Sequence, residues 1–537
     1  MDSDSPAGPR VPRNQRNSGA TDPLRPDASD YAAPVAVSAS FVRRYRASLA
    51  IVVLVAGVRT ALAVAGVGFD LSGLTGRVDY YQLLDTQQLQ HHLASSIWNL
   101  QSQPPLLDLW SGLLLQLPHG WIPPVMYSLS VLLSLALALS TYHLCLALRV
   151  PVALSAVVTV LVVVDPANLL YSSWYFDTYP TAVALTFGAL CLARLVRGRS
   201  RLWAAGYLGS LSVVVLLNST FQWVWLVAAV LPVIGLWRHN PRRLVVMLAL
   251  PVLVMGGWYA KNAVLFNTYT TSSWIGMNMA KVTLGTASPG RVEQLVTDGT
   301  LTPISLHLPF APLQTYAGLY TPRPQTGAPV LDRPTKQDGT PNYNAADYLP
   351  IASQYLHDDL AYIAKDPAGY TKGVEAAVRL FFFPSDRYFF LWPEAIHMTA
   401  YQSTYDAAVD WDIRPNGFAL VVPHPSPRTP AKHQVSNAQS WDQISISAAL
   451  AFAVLLVLAP LAAWLRRADR GWVATMGFTW MTSAYVLVLT SLADLGENLR
   501  FRYDLGPLPL VGAVATIVAL AVSVRFRAVA AEDPPTG

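Results

Sequence analysis

The sequence predicts an all-α polytopic membrane protein of about ten transmembrane helices, carrying a mixed α/β domain on the extracytoplasmic side. Three observations lead there. Of 537 residues, 53% are apolar and only 13% charged, about half the charged share usual in soluble chains. The mean hydropathy is +0.35. The arginines alternate from one inter-span connection to the next. So little charge cannot cover a water-facing surface of this length, which excludes a soluble enzyme, a disordered chain and a coiled coil. The formal charge of +5 says less than the placement of the charges.

A span needs about 20 mostly apolar residues. Ten candidates run near 47–66, 124–147, 150–165, 180–196, 202–217, 221–237, 243–260, 443–464, 472–492 and 506–524. Residues 1–40 are polar and rich in Pro, Ser, Asp and Arg, the composition of a disordered cytoplasmic tail. The apolar run after Arg46 is longer than a signal h-region and reads as a retained anchor. A membrane module over 41–260 contains a long first outer loop, 67–122, within which 106–117 is too short to span and reads as interfacial or re-entrant. Residues 261–442, about 180 in number, suffice for a folded extracytoplasmic domain. Its 262–285 stretch, with β-branched residues and Gly, suggests strands or loop packed near the membrane. Asp366-Pro367 reads as an N-cap with Pro at the first helical position, opening an amphipathic helix over 367–383 that would lie at the interface. The Pro-rich 423–431 segment is a returning loop, 443–527 a second membrane module and 528–537 a second tail.

The basic residues test this plan. One set of alternate connections holds twenty arginines: 10, 13, 16, 25, 43, 44, 46, 149, 194, 197, 199, 201, 238, 242, 243, 466, 467, 470, 525 and 527. The opposite short loops hold three, Arg77, Arg500 and Arg502. This is the positive-inside pattern; it puts both termini in the cytoplasm, requires an even number of spans, and fits a multi-pass plasma-membrane protein. Cys145 and Cys191 both lie inside apolar runs, which excludes a disulfide framework.

Chemistry on such a protein belongs to polar residues held at a membrane face. The first outer loop reads Arg77-Val78-Asp79-Tyr80-Tyr81 and later Ser102-Gln103-Pro104-Pro105-Leu106-Leu107. Leu83, Leu84, Leu89, Leu93 and Ile97 recur at roughly helical spacing, with Asp79 near the start. Asp79 is there either as a helix cap or as a reacting carboxylate. The last outer loop runs Ala493-Asp494-Leu495-Gly496-Glu497-Asn498-Leu499-Arg500-Phe501-Arg502-Tyr503-Asp504-Leu505-Gly506-Pro507. Asp406, Asp410 and Asp412 lack the spacing of a Ca²⁺ loop and read as a solvated acidic face. Arg59, deep in the first span, needs an ion pair or a lipid phosphate.

An Asp-bearing first outer loop with tyrosines, followed about 25 residues on by a polar-Pro-Pro-Leu segment, resembles the GT-C superfamily of glycosyltransferases, which includes protein O-mannosyltransferases and the aminoarabinose transferase of lipid A. The family motif is Asp-Glu or similar, then His-Pro-Pro-Leu; here Tyr80 follows Asp79, and Gln103 stands at the His position. Glu497-x-x-Arg500-Phe501-Arg502 through Pro507 resembles the Glu-x-x-Arg-Tyr/Phe-Arg…Pro segment that opens the last helix in many members. Asp366-Pro367 to Phe383-Pro384-Ser385 resembles a region of uncharacterised members. The resemblance covers the topology and scattered short motifs.

It implies an inverting enzyme that moves a sugar from a polyprenyl-phosphate donor to a cell-envelope acceptor, whether glycan, lipid or protein. Asp79 would be the general base, and Arg500 and Arg502 would face the leaving phosphate unless they neutralise the acidic residues around them. Asp85, His91, Gln103 and Glu497 would contact substrate. Asp177 would line the sugar pocket or cap the fourth span, and Trp392 and Trp411 would either belong to the interfacial aromatic belt or stack on an acceptor glycan. A divalent cation (Mg²⁺, Mn²⁺ or Ca²⁺) could assist the phosphate. Nucleotide sugars are absent outside the cytoplasm, and the chain has no Gly-rich phosphate loop at a strand–helix junction; no nucleic-acid partner is expected, and the donor must arrive through the bilayer. The competing class is a transporter or flippase of a lipid-linked envelope precursor. Transporters commonly show repeats and broken helices near the midplane, whereas this sequence shows no internal repeat.

Overall fold

The computed structural model describes residues 33–74, 82–411, 421–422, 439–440 and 443–532. The chain forms two units, Met1–Leu49 and Ala50–Gly537. In the first, the described residues are helical: the helix Ala33–Val64 begins inside the segment expected to be a disordered tail. The Pro of Ala33-Pro34 falls in the first turn, where a missing N–H is tolerated, and no further Pro interrupts the run to Val64.

Among the described residues six helices are long and apolar enough to cross a membrane: Arg46–Val64, His119–Ala147, Thr178–Gly198, Leu244–Phe266, Ile446–Leu465 and Arg470–Ala493. A seventh span results if Asn498–Asp504 and Leu508–Ser523, bent by 60° at their junction, cross together. The chain is therefore a polytopic membrane protein. The other three expected spans are the helices Val152–Val164, Arg201–Leu217 and Trp223–Trp237, of 13, 17 and 15 residues. At 1.5 Å per residue these reach roughly 20–26 Å, less than the ~30 Å hydrocarbon core. Hydropathy registers apolar runs but not where a helix stops. Here the stops are local: Pro151 precedes the first of them, Asp165 ends it and caps the next helix through the Ala167 N–H, and Asn218 ends the second with extended dihedrals.

The mixed α/β domain is absent among the described residues. Their only paired strands are Val421–Val422 and Gln439–Ser440, two residues each. The stretch that suggested strands instead completes the helix Pro241–Phe266 and forms a second, Ile275–Val282. Its glycine serves close packing rather than strand geometry. A Cβ on Gly276 would stand 2.0 Å from the Ala352 carbonyl oxygen, in the helix Tyr348–Lys365. Gly373 likewise lets Pro367–Phe381 approach, since a Cβ there would stand 2.1 Å from the Val282 carbonyl oxygen. Asp366 caps that helix as expected, accepting from the Gly369 N–H at 2.9 Å. Its apolar face, Ala376, Ala377, Leu380 and Phe381, is buried against protein, not spread on a membrane surface; the Glu375–Arg379 pair marks the open side.

Three apolar clusters organise the second unit. One joins the membrane helices and contains Cys145 and Cys191, both buried free thiols. One packs Tyr348, Tyr355 and their neighbours between residues 274 and 362. The third gathers 62–137, 162–183, 376–398 and 495–503, and the candidate sites lie along it.

Gly276→Ala and Gly373→Ala are each expected to destabilise the protein by about 1–3 kcal/mol through overpacking. Thermal unfolding in detergent checks this; melting points equal to wild type would show that the helices around Ile275–Val282 are not so closely clamped.

Candidate functional site

In the first outer loop, Arg77 and Asp79 lie outside the described residues. The expected single amphipathic helix is two, Thr86–His91 and Leu93–Trp98, broken at His92 with φ −137°. The N-cap of the first is Asp85, which accepts from the Gln87 N–H at 3.0 Å and, with its other oxygen, from the Gln337 N–H at 3.1 Å. Asp85 thereby ties the loop to a distant segment. His91 is exposed and Gln103 half-buried. The residues before Gln103 anchor this stretch: the Gln101 and Ser102 N–H groups donate to Asn344 Oδ1 at 2.9 and 3.1 Å. Asp108, in the short helix Leu106–Leu115, escaped the sequence reading. It is 1% exposed, accepts from the Leu84 N–H at 2.8 Å, and burial pushes its carboxyl up to about 7.

In the last outer loop, Arg500 and Arg502 part company. Two residues on a helix are roughly 200° apart, so their side chains leave opposite faces of Asn498–Asp504. Arg500 is 2% exposed. It donates to Asp177 Oδ1 and Thr178 Oγ1, both at 3.2 Å, and through Nε to Glu497 Oε2 at 2.9 Å. Its guanidinium also lies over the rings of Phe176 and Phe501. Burial pushes the Asp177 carboxyl up to about 6, and the Arg500 charge opposes that rise. Asp177 occupies the cap position of Thr178–Gly198 without a side-chain capping bond. Asp177, Glu497 and Arg500 thus engage one another in a buried cluster, a partner set that the sequence reading split between a sugar pocket and a cap.

Arg502 points into a cavity of about 190 Å³ and donates to Ser385 Oγ at 2.7 Å. Three carboxylates line the same cavity: Asp165, Asp386 and Asp410, with Asn168, Ser447 and Tyr405 beside them. Asp386 accepts from Gln402 Nε2, and Asp410 from the Ser447 hydroxyl, each at 2.8 Å. Burial raises all three acids. Asp386 is pushed up to about 7, with the nearby Asp406 charge adding to the rise. Asp165 stands well above the usual carboxylate range, first through burial and then through Asp410, and burial is also the main cause at Asp410. Apolar side chains, among them Leu137, Leu161, Ala448, Phe452 and Leu510, complete the lining.

This corrects the solvated acidic face. Asp406 is buried and accepts from Arg387 at 2.5 Å, and Asp410 is a cavity wall; Asp412 lies outside the described residues. The signal was present in the sequence as single acids at the ends of apolar runs, Asp165 after Val162-Val163-Val164 and Asp386 after Phe381-Phe382-Phe383-Pro384-Ser385. Among the described residues no three His, Cys, Asp or Glu side chains are placed to share a metal ion. The cavity acids each accept from a protein donor instead, so no step below is routed through a divalent cation.

A second cavity, about 340 Å³, is almost wholly apolar. Leu106, Trp110, Met126, Leu133, Trp174, Phe176 and Tyr179 line it, with Ser130 and Ser172 as polar points. Behind those serines lies Arg59, buried, donating to Ser134 Oγ at 2.5 Å and Ser173 Oγ at 3.3 Å. It has hydroxyl partners in place of the expected ion pair or lipid phosphate. Tyr503 lines the polar cavity, stacked on Tyr171 with ring centroids 4.1 Å apart and donating to Asn168 Oδ1 at 3.2 Å. Trp392 and Trp411 are half exposed.

In comparison with known proteins, no family model matches the chain, and neither a curated protein nor a solved structure is similar to it.

Two outcomes follow from the charges. Arg500→Leu strands two buried carboxylates and should destabilise the protein by about 3–5 kcal/mol, read as loss of folded protein in a thermal melt; a variant as stable as wild type would dissolve the cluster. Asp386, with its native pKa raised from the ordinary 3.8 to about 7, favours the native state fully below about pH 4, and that contribution is lost as pH rises through 7. The melting temperature should therefore fall between about pH 4 and 7, and Asp386→Asn should flatten part of that fall. The displacement sets an upper bound of roughly 4 kcal/mol. Identical pH profiles for the two proteins would remove Asp386 as the titrating group.

Proposed function

We propose that the protein is an integral-membrane glycosyltransferase that moves a sugar from a polyprenyl-phosphate donor to an extracytoplasmic cell-envelope acceptor. The observation carrying this reading is the mixed lining of the cavity, which holds Arg502 and three carboxylates together with Leu137, Phe452 and Leu510. A ligand polar at one end and apolar at the other is what such a surface complements. Arg502, a permanently charged planar donor, suits the leaving phosphate, and Asp165, Asp386 and Asp410 suit sugar hydroxyls as acceptors. The apolar cavity along Trp174 and Met126 offers space for a hydrocarbon chain.

In the proposed reaction an acceptor hydroxyl attacks the anomeric carbon opposite the phosphate. The new carbon–oxygen bond forms as the old one breaks, its electron pair leaves with the phosphate, and the configuration inverts. The acceptor's proton passes to a carboxylate. The sequence motif gives that part to Asp79. Among the described residues Asp386, held near 7, has the proton affinity that suits a general base at neutral pH. Arg500, with Asp177 and Glu497, is a positioning group that fixes the helix bearing Arg502. His91, Gln103 and Asp85 take no chemical part in this reading.

The test is sugar transfer by purified, reconstituted protein supplied with lipid-linked sugars from its own membranes, together with mass spectrometry of envelope glycans from a deletion strain. Asp79→Asn is expected to lower turnover by about 10²–10⁴-fold with donor binding intact, and Arg502→Gln to raise the KM for donor. Full turnover in Asp79→Asn with loss in Asp386→Asn moves the base to Asp386. Unchanged envelope glycans in the deletion strain, or movement of intact lipid-linked precursor across vesicles without transfer, overturn the reading.

A further inference from the structure

At the opposite ends of the membrane helices lies a third cavity, about 520 Å³, between the helices Arg201–Leu217 and Pro241–Phe266. We propose that it is a binding site for an anionic glycerophospholipid of the surrounding bilayer, phosphate at the arginines and acyl chain along the groove. The proposal is independent of the transferase reading.

The mouth and the body of this groove differ in chemistry. Arg201 is the first residue of one helix and Arg242 the second of the other. Both line the cavity and both are exposed, and no hydrogen bond or ion pair joins either to another described residue. The free N–H groups and the positive dipole ends of both helices add to the same field. Below the arginines every lining residue is apolar: Ala204, Ala205 and Leu208 on one helix, Val246, Met247 and Leu250 on the other. Val246 and Leu250 belong to the candidate span Leu244–Phe266 and are 75% and 54% exposed, so the groove runs at the depth of acyl chains. Arg201–Leu217 is too short to cross alone, and a lipid chain alongside it extends the apolar surface it presents.

Charge complementarity selects the occupant. A zwitterionic headgroup brings no net charge to two arginines, and a free phosphate leaves the apolar groove unfilled. The charge alternation in the sequence assigns this end to the cytoplasmic leaflet, where anionic lipids concentrate and draw basic residues near the surface.

Native mass spectrometry of the full chain, titrated in detergent with phosphatidylglycerol or phosphatidylcholine, tests the site, with melting temperatures confirming that each variant is folded. One phosphatidylglycerol per chain should be retained in preference to phosphatidylcholine. Arg201→Gln with Arg242→Gln should weaken retention by about fivefold for each arginine, and Arg238→Gln, a charge at the same end but outside the groove, should leave it unchanged. Ala205→Trp, which fills the groove and keeps both arginines, should also release the lipid. Equal retention of the two lipids, an unaffected double variant, or an unaffected Ala205→Trp with displacement by millimolar inorganic phosphate would each overturn the proposal.

Discussion

A guanidinium buried between two carboxylates joins the start of one membrane helix to the segment that precedes the last one. Arg500 reaches Asp177 across 323 residues of sequence while pairing with Glu497 in its own turn. Burying three charges is tolerated because each is matched, and the hydrogen bonds to Thr178 and Glu497 occupy the directions that water would otherwise fill. The cluster pins the start of the helix Thr178–Gly198 to the helix Asn498–Asp504. Once Arg500 faces that way, helical geometry turns Arg502 to the other side, into the acid-lined cavity. The bend that follows depends on Gly506, whose φ is +52° and whose missing Cβ leaves 3.0 Å to the Ala182 side chain.

The two cavities on this side divide the polar work from the apolar. One collects acids whose proton affinity burial raises, with Arg502 among them; the other is aromatic and aliphatic, with a buried arginine held by serine hydroxyls behind it. An acid whose proton affinity lies near neutrality can accept a hydrogen bond or a proton without a large change in the surrounding field. That property, rather than the number of carboxylates, gives the polar cavity its chemical interest. Tyr503, stacked on Tyr171, and Asn168 belong to the lining of the polar one.

Several local signals were legible and several misleading. Asp366-Pro367 opened a helix as its capping chemistry requires, and the Glu497–Arg502 stretch contained both arginines that matter. The same spacing rules missed Asp85: the helix begins at Thr86, so Asp85 is its cap. At 262–285 β-branched residues and glycine suggested strands or loop; the stretch is helix to Phe266, irregular to Trp274 and helix again from Ile275. There Gly276 packs closely on Ala352, and tertiary packing overrides local preference. Asp406 and Asp410 read as solvated because a sequence shows an acid's neighbours along the chain, not the Arg387 and Ser447 that meet it in space.

Composition and the order of apolar runs determined, by themselves, that this is a helical membrane protein and roughly where its helices lie. Transfer of a side chain into hydrocarbon is a local property that adds along the chain. Only the tertiary structure decided which helices are long enough to cross and which acids gather around Arg502. It also decided that Arg500 is an internal brace. Those outcomes depend on burial and on partners hundreds of residues away, and the free energy of a charge is set by what surrounds it in three dimensions.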